Sequence, residues 1–204
     1  MRRTKEEAEQ TRQNLLDSAL RVFSRKGYEV ARLQDIAAEA DVTRGAIYHH
    51  FGSKAELYTA LVDEASTEGN ALIAQAIGEG GSFLDVMRRT FEYSFRAIEE
   101  RPRLRAVMEL ISFKTGVSEE LAELTARQRL QTRQSIAQIS GYIQMGIESG
   151  ELRPNLDPEA AAATLLATQS GLINLWLSDR ETFSIKEKAS QLADIYIFGI
   201  AAQG

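Results

Sequence analysis

Thr43-Arg44-Gly45-Ala46-Ile47-Tyr48-His49-His50-Phe51 decides how this chain is read. The run follows an amphipathic segment, Leu33 to Ala40, and the two form the pattern of a helix-turn-helix. Ala37 supplies the small residue where the helices cross, Asp41 the turn, and Val42 and Ile47 the β-branched side chains of a shared core. Arg44, Gly45, Tyr48 and His49 are left facing outward, on the helix that such a unit places in a DNA groove.

Side-chain chemistry assigns roles on that helix. Arg44, in the first turn, can donate two parallel hydrogen bonds to guanine O6 and N7. Gly45 has no Cβ to hold the backbone off a base edge or phosphate. Thr43 is placed to cap the helix and to offer its hydroxyl to phosphate. Tyr48 and His49 present polar groups to the sugar-phosphate backbone, which position rather than specify. Lys54, at the start of the next helix, is a natural phosphate clamp. His49 and His50 do not read as a zinc site, because adjacent helical residues point about 100° apart.

The net charge of −5 runs against a DNA partner until the chain is split. Residues 1–60 carry ten Lys or Arg against nine Asp or Glu, and residues 61–204 carry fourteen against twenty. Local potential governs phosphate binding, and the acidic remainder tends to keep the rest of the chain off DNA. Arg2, Arg3 and Lys5 form a basic arm, with Thr4 and Glu7 predicted to box the first helix.

Apolar residues recur at helical spacing and only three prolines occur, so the expected fold is all-α with about nine helices. Leu15, Leu16, Ala19, Leu20 and Phe23 form one stripe, and Gly27 ends that helix. Ser53 and Glu56 box a long helix reaching about Ala76, and Gly78-Glu79-Gly80-Gly81 breaks it. Further helices are expected over 83–99, 102–113, 119–149, 158–177 and 185–202, the last boxed by Ser184 and Glu187. A boundary near residue 60 separates a helix-turn-helix domain, 1–60, from a helical domain, 61–204.

The helix from Pro158 to Leu177 is apolar nearly all round, and Leu192 to Ile200 is similarly rich, so both are expected to be buried on most sides. Together they exceed what one core of about 140 residues needs, which points to a homodimer packed as a four-helix bundle; an ordinary buried hairpin is the alternative. Phe91, Phe95, Phe113, Tyr142 and Trp176 lie on several helices, and Gln169 and Asn174 interrupt an apolar one. Such a set describes a small-molecule cavity, and equally a filled core or a dimer seam. Glu92 and Glu109 can meet a cationic ligand, although acids on helices are usually solvated.

From Thr11 to Leu61 the chain resembles the TetR family of bacterial transcriptional repressors. The likeness is carried by Phe23-Ser24-Arg25-Lys26-Gly27-Tyr28, by Asp35-Ile36-Ala37, by the Tyr48–Phe51 ending and by Ser53-Lys54. A fainter likeness to the AcrR-type branch continues through Gly171 to Leu177 and Phe183-Ser184-Ile185. The resemblance implies a dimer on a palindromic DNA operator, with contacts at Thr43, Gly45, Tyr48, His49 and Lys54. It also implies a hydrophobic effector bound in the C-terminal domain that releases the operator, and efflux genes as targets. Two positions depart from the pattern. Asp41 replaces the usual turn Gly, and Arg32 stands where a Ser or Thr usually caps the second helix near a phosphate. Arg32 stays a DNA-contact candidate but has no side-chain oxygen for the cap.

Other classes fit poorly. The chain has no Cys, its two His both lie in the recognition run, and no Gly-rich phosphate loop follows a strand, so an enzyme is not expected. No cofactor or metal is expected either. No signal peptide and no run near the ~20 apolar residues of a membrane span are read, which places the chain in the cytoplasm without a membrane partner. An effector-independent DNA-binding regulator with a filled C-terminal core is the alternative function.

Overall fold

The computed structural model describes residues 5–202. Arg2, Arg3 and Thr4, and with them most of the expected arm and its box, lie outside the described residues. Among the described residues nine helices follow in order: α1 (Lys5–Lys26), α2 (Leu33–Glu39), α3 (Arg44–Phe51), α4 (Lys54–Gly78), α5 (Phe83–Glu100), α6 (Pro102–Phe113), α7 (Ala122–Glu148), α8 (Pro158–Ser178) and α9 (Ala189–Ile200). A 3-10 turn, Glu119–Leu121, precedes α7. No strand occurs among the described residues, and Leu152 and Ala201 form one isolated antiparallel bridge. The all-α expectation is met.

The helices resolve into two compact units that are not contiguous halves of the sequence. One runs to Thr67 and takes in Arg103–Leu124; the other comprises Glu68–Pro102 and the chain from Thr125 onward. A boundary near residue 60 misses the return of residues 103–124 to the first unit.

In the first unit, Leu15, Leu16, Ala19 and Phe23 of α1 pack with Ile36, Ile47, Leu57 and Leu61, all buried. Val107, Leu110, Leu121 and Leu124 join the same core. Each Leu, Ile, Val or Phe among them contributes roughly 1.5–3 kcal/mol when fully buried. The turn between α2 and α3 is a Schellman motif: Val42 N–H bonds the Ala37 carbonyl (3.0 Å) and Asp41 N–H the Ala38 carbonyl (3.3 Å). It needs a left-handed residue, and Asp41 takes it at φ 52°. Asn14 of α1 donates to the Ala40 carbonyl (3.0 Å), another acceptor at the end of α2.

In the second unit, α5 turns Met87, Phe91, Phe95 and Ile98 inward, and α9 supplies Ala193, Tyr196, Ile197 and Ile200. The Tyr196 hydroxyl donates to the Ala161 carbonyl of α8 (2.6 Å). The N-terminus of α5 is closed twice, by the Ser82–Asp85 box and by the Glu151 carboxylate, which accepts from Phe83 N–H (3.2 Å) and Leu84 N–H (2.9 Å).

Three expectations are corrected here. α9 begins at Ala189, not 185: Ser184 does accept from Glu187 N–H (3.1 Å), but Glu99 draws the Ser184 hydroxyl and Lys186 N–H to itself. The residues after Ser184 are held as a turn. Second, α8 is not buried on most sides. Ala161, Ala162, Trp176 and Leu177 are its buried residues, while Leu175 is 60% exposed. Third, α8 is long and apolar enough to cross a membrane by length and composition, contrary to the absence of any such run. It nevertheless carries Thr164, Thr168, Gln169, Ser170 and Asn174 along its length.

Two glycine-type constraints yield predictions. Gly146 in α7 sits against Leu152, whose Cδ1 and Cγ would lie 2.8 and 2.9 Å from an added Cβ. Leu152 is fully buried and cannot swing away. Gly146→Ala therefore destabilises by about 1–2 kcal/mol in chemical denaturation, overpacking outweighing the gain in helix propensity. Asp41→Gly leaves stability unreduced, whereas Asp41→Val lowers it by about 1–2 kcal/mol on the same measurement.

Candidate nucleic-acid interface

α3 is an eight-residue helix whose two faces have different tasks. Ile47 and Phe51, four residues apart, are buried and fasten it to the first unit's core. Thr43, Arg44, Gly45, Tyr48 and His49 are all exposed. The guanidinium of Arg12, 5.3 Å from the Phe51 ring centroid, covers the buried end of the helix.

On the outward face, Arg44 and Tyr48 form a pair. An Arg44 Nη donates to the Tyr48 hydroxyl (3.1 Å), and the guanidinium lies 5.9 Å from the ring centroid. Arg44 is thereby laid along the helix with donors left over. At Gly45, an added Cβ would meet only Thr43 Oγ1, at 3.6 Å, so nothing inside the fold requires glycine. Thr43 occupies the N-cap position with extended backbone, and its carbonyl accepts from Ala46 N–H (3.0 Å). Its hydroxyl makes no cap bond, which corrects the expected side-chain cap. The rings of His49 and His50 meet edge-on at 5.2 Å. Among the described residues, no cluster of three or more His, Cys, Asp or Glu is placed to hold a metal ion.

Arg32 is exposed at the N-cap of α2 and provides no side-chain acceptor. Asp35 supplies the missing half: its carboxylate accepts from Arg32 N–H (3.1 Å). Lys26, 3.0 Å away, and that backbone bond hold the Asp35 carboxyl below the ordinary carboxylate range.

Lys54 is placed differently from the others. Its side chain is 17% exposed. Its Nζ donates to the Tyr28 carbonyl (3.3 Å), lies 4.3 Å from the Tyr28 ring centroid and stands 3.5 Å from Glu120 Oε2. The Tyr28 hydroxyl donates to the same Glu120 oxygen (2.8 Å). That bond, then the Lys54 charge, holds the Glu120 carboxyl below its usual range. Burial first, and the Glu120 bond second, push the Tyr28 hydroxyl far up. Tyr28 and Glu120 are the site-region residues that sequence reading did not select. They are 92 positions apart, and no local pattern joins them.

The candidate ligand residues differ in burial and in the unit they belong to. Phe91 and Phe95 are fully buried and meet edge-to-face at 5.4 Å, and Phe91 also stacks on Tyr196 at 6.5 Å. Trp176 is buried, its indole N–H bonded to the Phe183 carbonyl (3.0 Å). Gln169 is half-buried and Asn174 exposed on α8. Tyr142 is exposed on α7, and Phe113 is exposed and belongs to the first unit.

Comparison with known proteins joins this geometry to a family. Residues 15–61 match the bacterial regulatory proteins of the tetR family, and residues 82–200 match the C-terminal region of MAATS-type transcriptional repressors. The HTH-type transcriptional regulator AcrR of Shigella flexneri is 32% identical over 197 residues, covering 96% of this chain and 92% of that one. The crystal structure of NalD, the secondary repressor of the MexAB-OprM multidrug efflux pump in Pseudomonas aeruginosa, superposes with a TM-score of 0.87 at 25% identity, covering 98% of this chain and all of that one. SmeT of Stenotrophomonas maltophilia, solved as a triclosan complex, gives 0.80 at 27% identity over 95% and 93% of the two chains. With both regions matched and the AcrR likeness running nearly end to end, the chain belongs to the TetR family of bacterial regulatory proteins.

Proposed function

We propose that this chain is a homodimeric transcriptional repressor that holds a palindromic operator and releases it when a small hydrophobic compound binds its C-terminal domain. The observation that carries the reading is the outward face of α3. Thr43, Arg44, Gly45, Tyr48 and His49 are all exposed, while Ile47 and Phe51 are the buried residues of the helix. A short helix held by one edge and polar on the other is suited to a major groove. Arg44 reads a guanine, Tyr48 and His49 bear on the sugar-phosphate backbone, and Thr43 contributes its unengaged hydroxyl. Arg32 and Lys54, at the starts of α2 and α4, are assigned to backbone phosphates.

Dimerisation is supported by the apolar surface that one chain leaves open. Ile195 and Phe198 of α9 are 73% and 79% exposed. On α8, Ala163, Ala167, Gly171 and Leu175 form an exposed stripe at helical spacing. Small residues there let a second helix approach closely, and a two-fold axis pairs α8 and α9 with their copies as a four-helix bundle. The pair of recognition helices then requires an inverted repeat with half-site centres about 34–36 Å apart, or more. The protein acts where bacterial DNA is, in the cytoplasm.

The relatives support a reading of the effector and the target. NalD represses a multidrug efflux pump, and SmeT is solved with triclosan bound. A hydrophobic, aromatic effector and efflux genes are the corresponding reading for this chain. Ligand and DNA would oppose one another by the same factor in both directions. The second reading, a regulator without an effector, draws on Phe91 and Phe95, which are fully buried against each other as a filled core would have them.

Selection from random duplex DNA is expected to enrich an inverted repeat. On that operator, Arg44→Ala costs about 1–3 kcal/mol and relaxes preference at one base pair; a loss uniform over all sequences would show that Arg44 meets only phosphate. Titrating the operator complex with a panel of hydrophobic aromatic compounds is expected to release the DNA. Retention against the whole panel would favour the effector-free regulator.

A further inference from the structure

Lys54 opens α4 directly after Gly52 and Ser53, which end the recognition helix. Yet its ammonium faces the Tyr28 carbonyl and Glu120, and the hold on it is loose. The separations are 3.3 and 3.5 Å, against the roughly 2.7–2.9 Å of a strong charge-assisted hydrogen bond. An ammonium with three donors can exchange such contacts for a phosphate oxygen with little loss. The carboxylate opposite is better fixed. Glu120 accepts the Tyr28 hydroxyl at 2.8 Å, and Tyr28 is fully buried between Phe23 and Tyr58. The anion is therefore held in place whether or not the cation stays. Glu120 comes from a segment, Arg103–Leu124, that the chain enters and leaves from the second unit.

We propose that Glu120 is a built-in competitor of DNA phosphate for Lys54, and that it sets the protein's operator affinity below what the recognition helix and Lys54 together would give. The proposal rests on the DNA-binding reading above. In the free protein Lys54 is shared between Tyr28 and Glu120; on the operator its ammonium transfers to a phosphate while Glu120 stays with Tyr28. Glu120 is thus a positioning residue that acts on DNA through Lys54, without touching DNA itself.

The test uses the full-length protein and the selected operator duplex, with wild type, Glu120→Gln, Lys54→Gln and the double variant titrated over a salt series. Glutamine keeps an acceptor for the Tyr28 hydroxyl and removes only the charge. Glu120→Gln is expected to bind roughly two- to fivefold tighter. The log–log salt slope should stay close to that of wild type, because Lys54 reaches the phosphate in both, whereas Lys54→Gln should flatten it by about 0.9, the mark of one lost phosphate contact. In the Lys54→Gln background the same change should do nothing. Unchanged or weaker binding by Glu120→Gln at an unaltered melting temperature overturns the proposal. Equal tightening in both backgrounds overturns it too, since that is only the removal of a negative charge near DNA.

Should Glu120→Gln fail to fold, wild-type protein carrying carbon-13 lysine decides the matter. The Lys54 side-chain signal moves on operator addition if the ammonium transfers, and stays put if the pair is fixed. A wild type that selects no duplex strikes the DNA reading itself, whereas operator binding by wild type with an indifferent Glu120→Gln strikes only the role of Glu120.

Discussion

The burial of Tyr28 is the constraint on which the first unit is built. Its ring is closed between Phe23 at the end of α1 and Tyr58 in α4, with centroids 5.6 and 5.0 Å away. Its backbone N–H bonds the Lys114 carbonyl, its own carbonyl takes Lys54, and its hydroxyl takes Glu120. One residue in the α1–α2 corner thus ties three chain segments at every polar atom it has. The neighbours reinforce it: Lys114 Nζ donates to the Ser24 carbonyl (2.6 Å), and the hydroxyls of Tyr58 and Thr115 share a hydrogen bond (2.7 Å). A buried phenol with an unpaired hydroxyl would be costly, so the segment carrying Glu120 is needed for the corner to close.

This arrangement leaves the outward face of α3 almost free of folding duties. Ile47 and Phe51 secure the helix, while a Cβ at Gly45 would touch only its neighbour Thr43 at ordinary contact distance and Thr43 spends no hydroxyl on the cap. Arg44 is engaged only with Tyr48, on the same face. Side chains without internal obligations can be exchanged to suit a different DNA sequence without refolding the unit. Lys54 is the exception, because its ammonium already has partners inside the protein.

Much of the fold was legible because its signals are local. The Schellman turn at Asp41 was readable from a residue that tolerates left-handed backbone, and the starts of α4, α6 and α8 from Ser53, Pro102 and Asp157. The exposed set on α3 was legible for the same reason, since a 3.6-residue period separates it from Ile47 and Phe51. Local rules failed where a distant group competed. Glu99 captured Ser184 and Lys186 N–H and delayed α9, and Asp35 rather than Arg32 completed the start of α2. The apolar richness of α8 and α9 was plain, but an excess of apolar residues does not say which face stays open. That face proved to carry Leu175, Ile195 and Phe198.

The helical class, the helix-turn-helix and the outward face of α3 are legible along the chain, because capping, turn chemistry and periodicity act within a few residues of one another. Long-range packing makes residues 103–124 part of the first unit, turns Lys54 to Tyr28 and Glu120, and pairs Phe91 with Phe95 in the core while leaving Phe113 and Tyr142 outside it. Each of these depends on which distant segments share a core. That choice is made by the burial of side chains far apart along the chain, such as Tyr28 against Tyr58 and Leu110 in one core with Leu15, and no short window of sequence contains it.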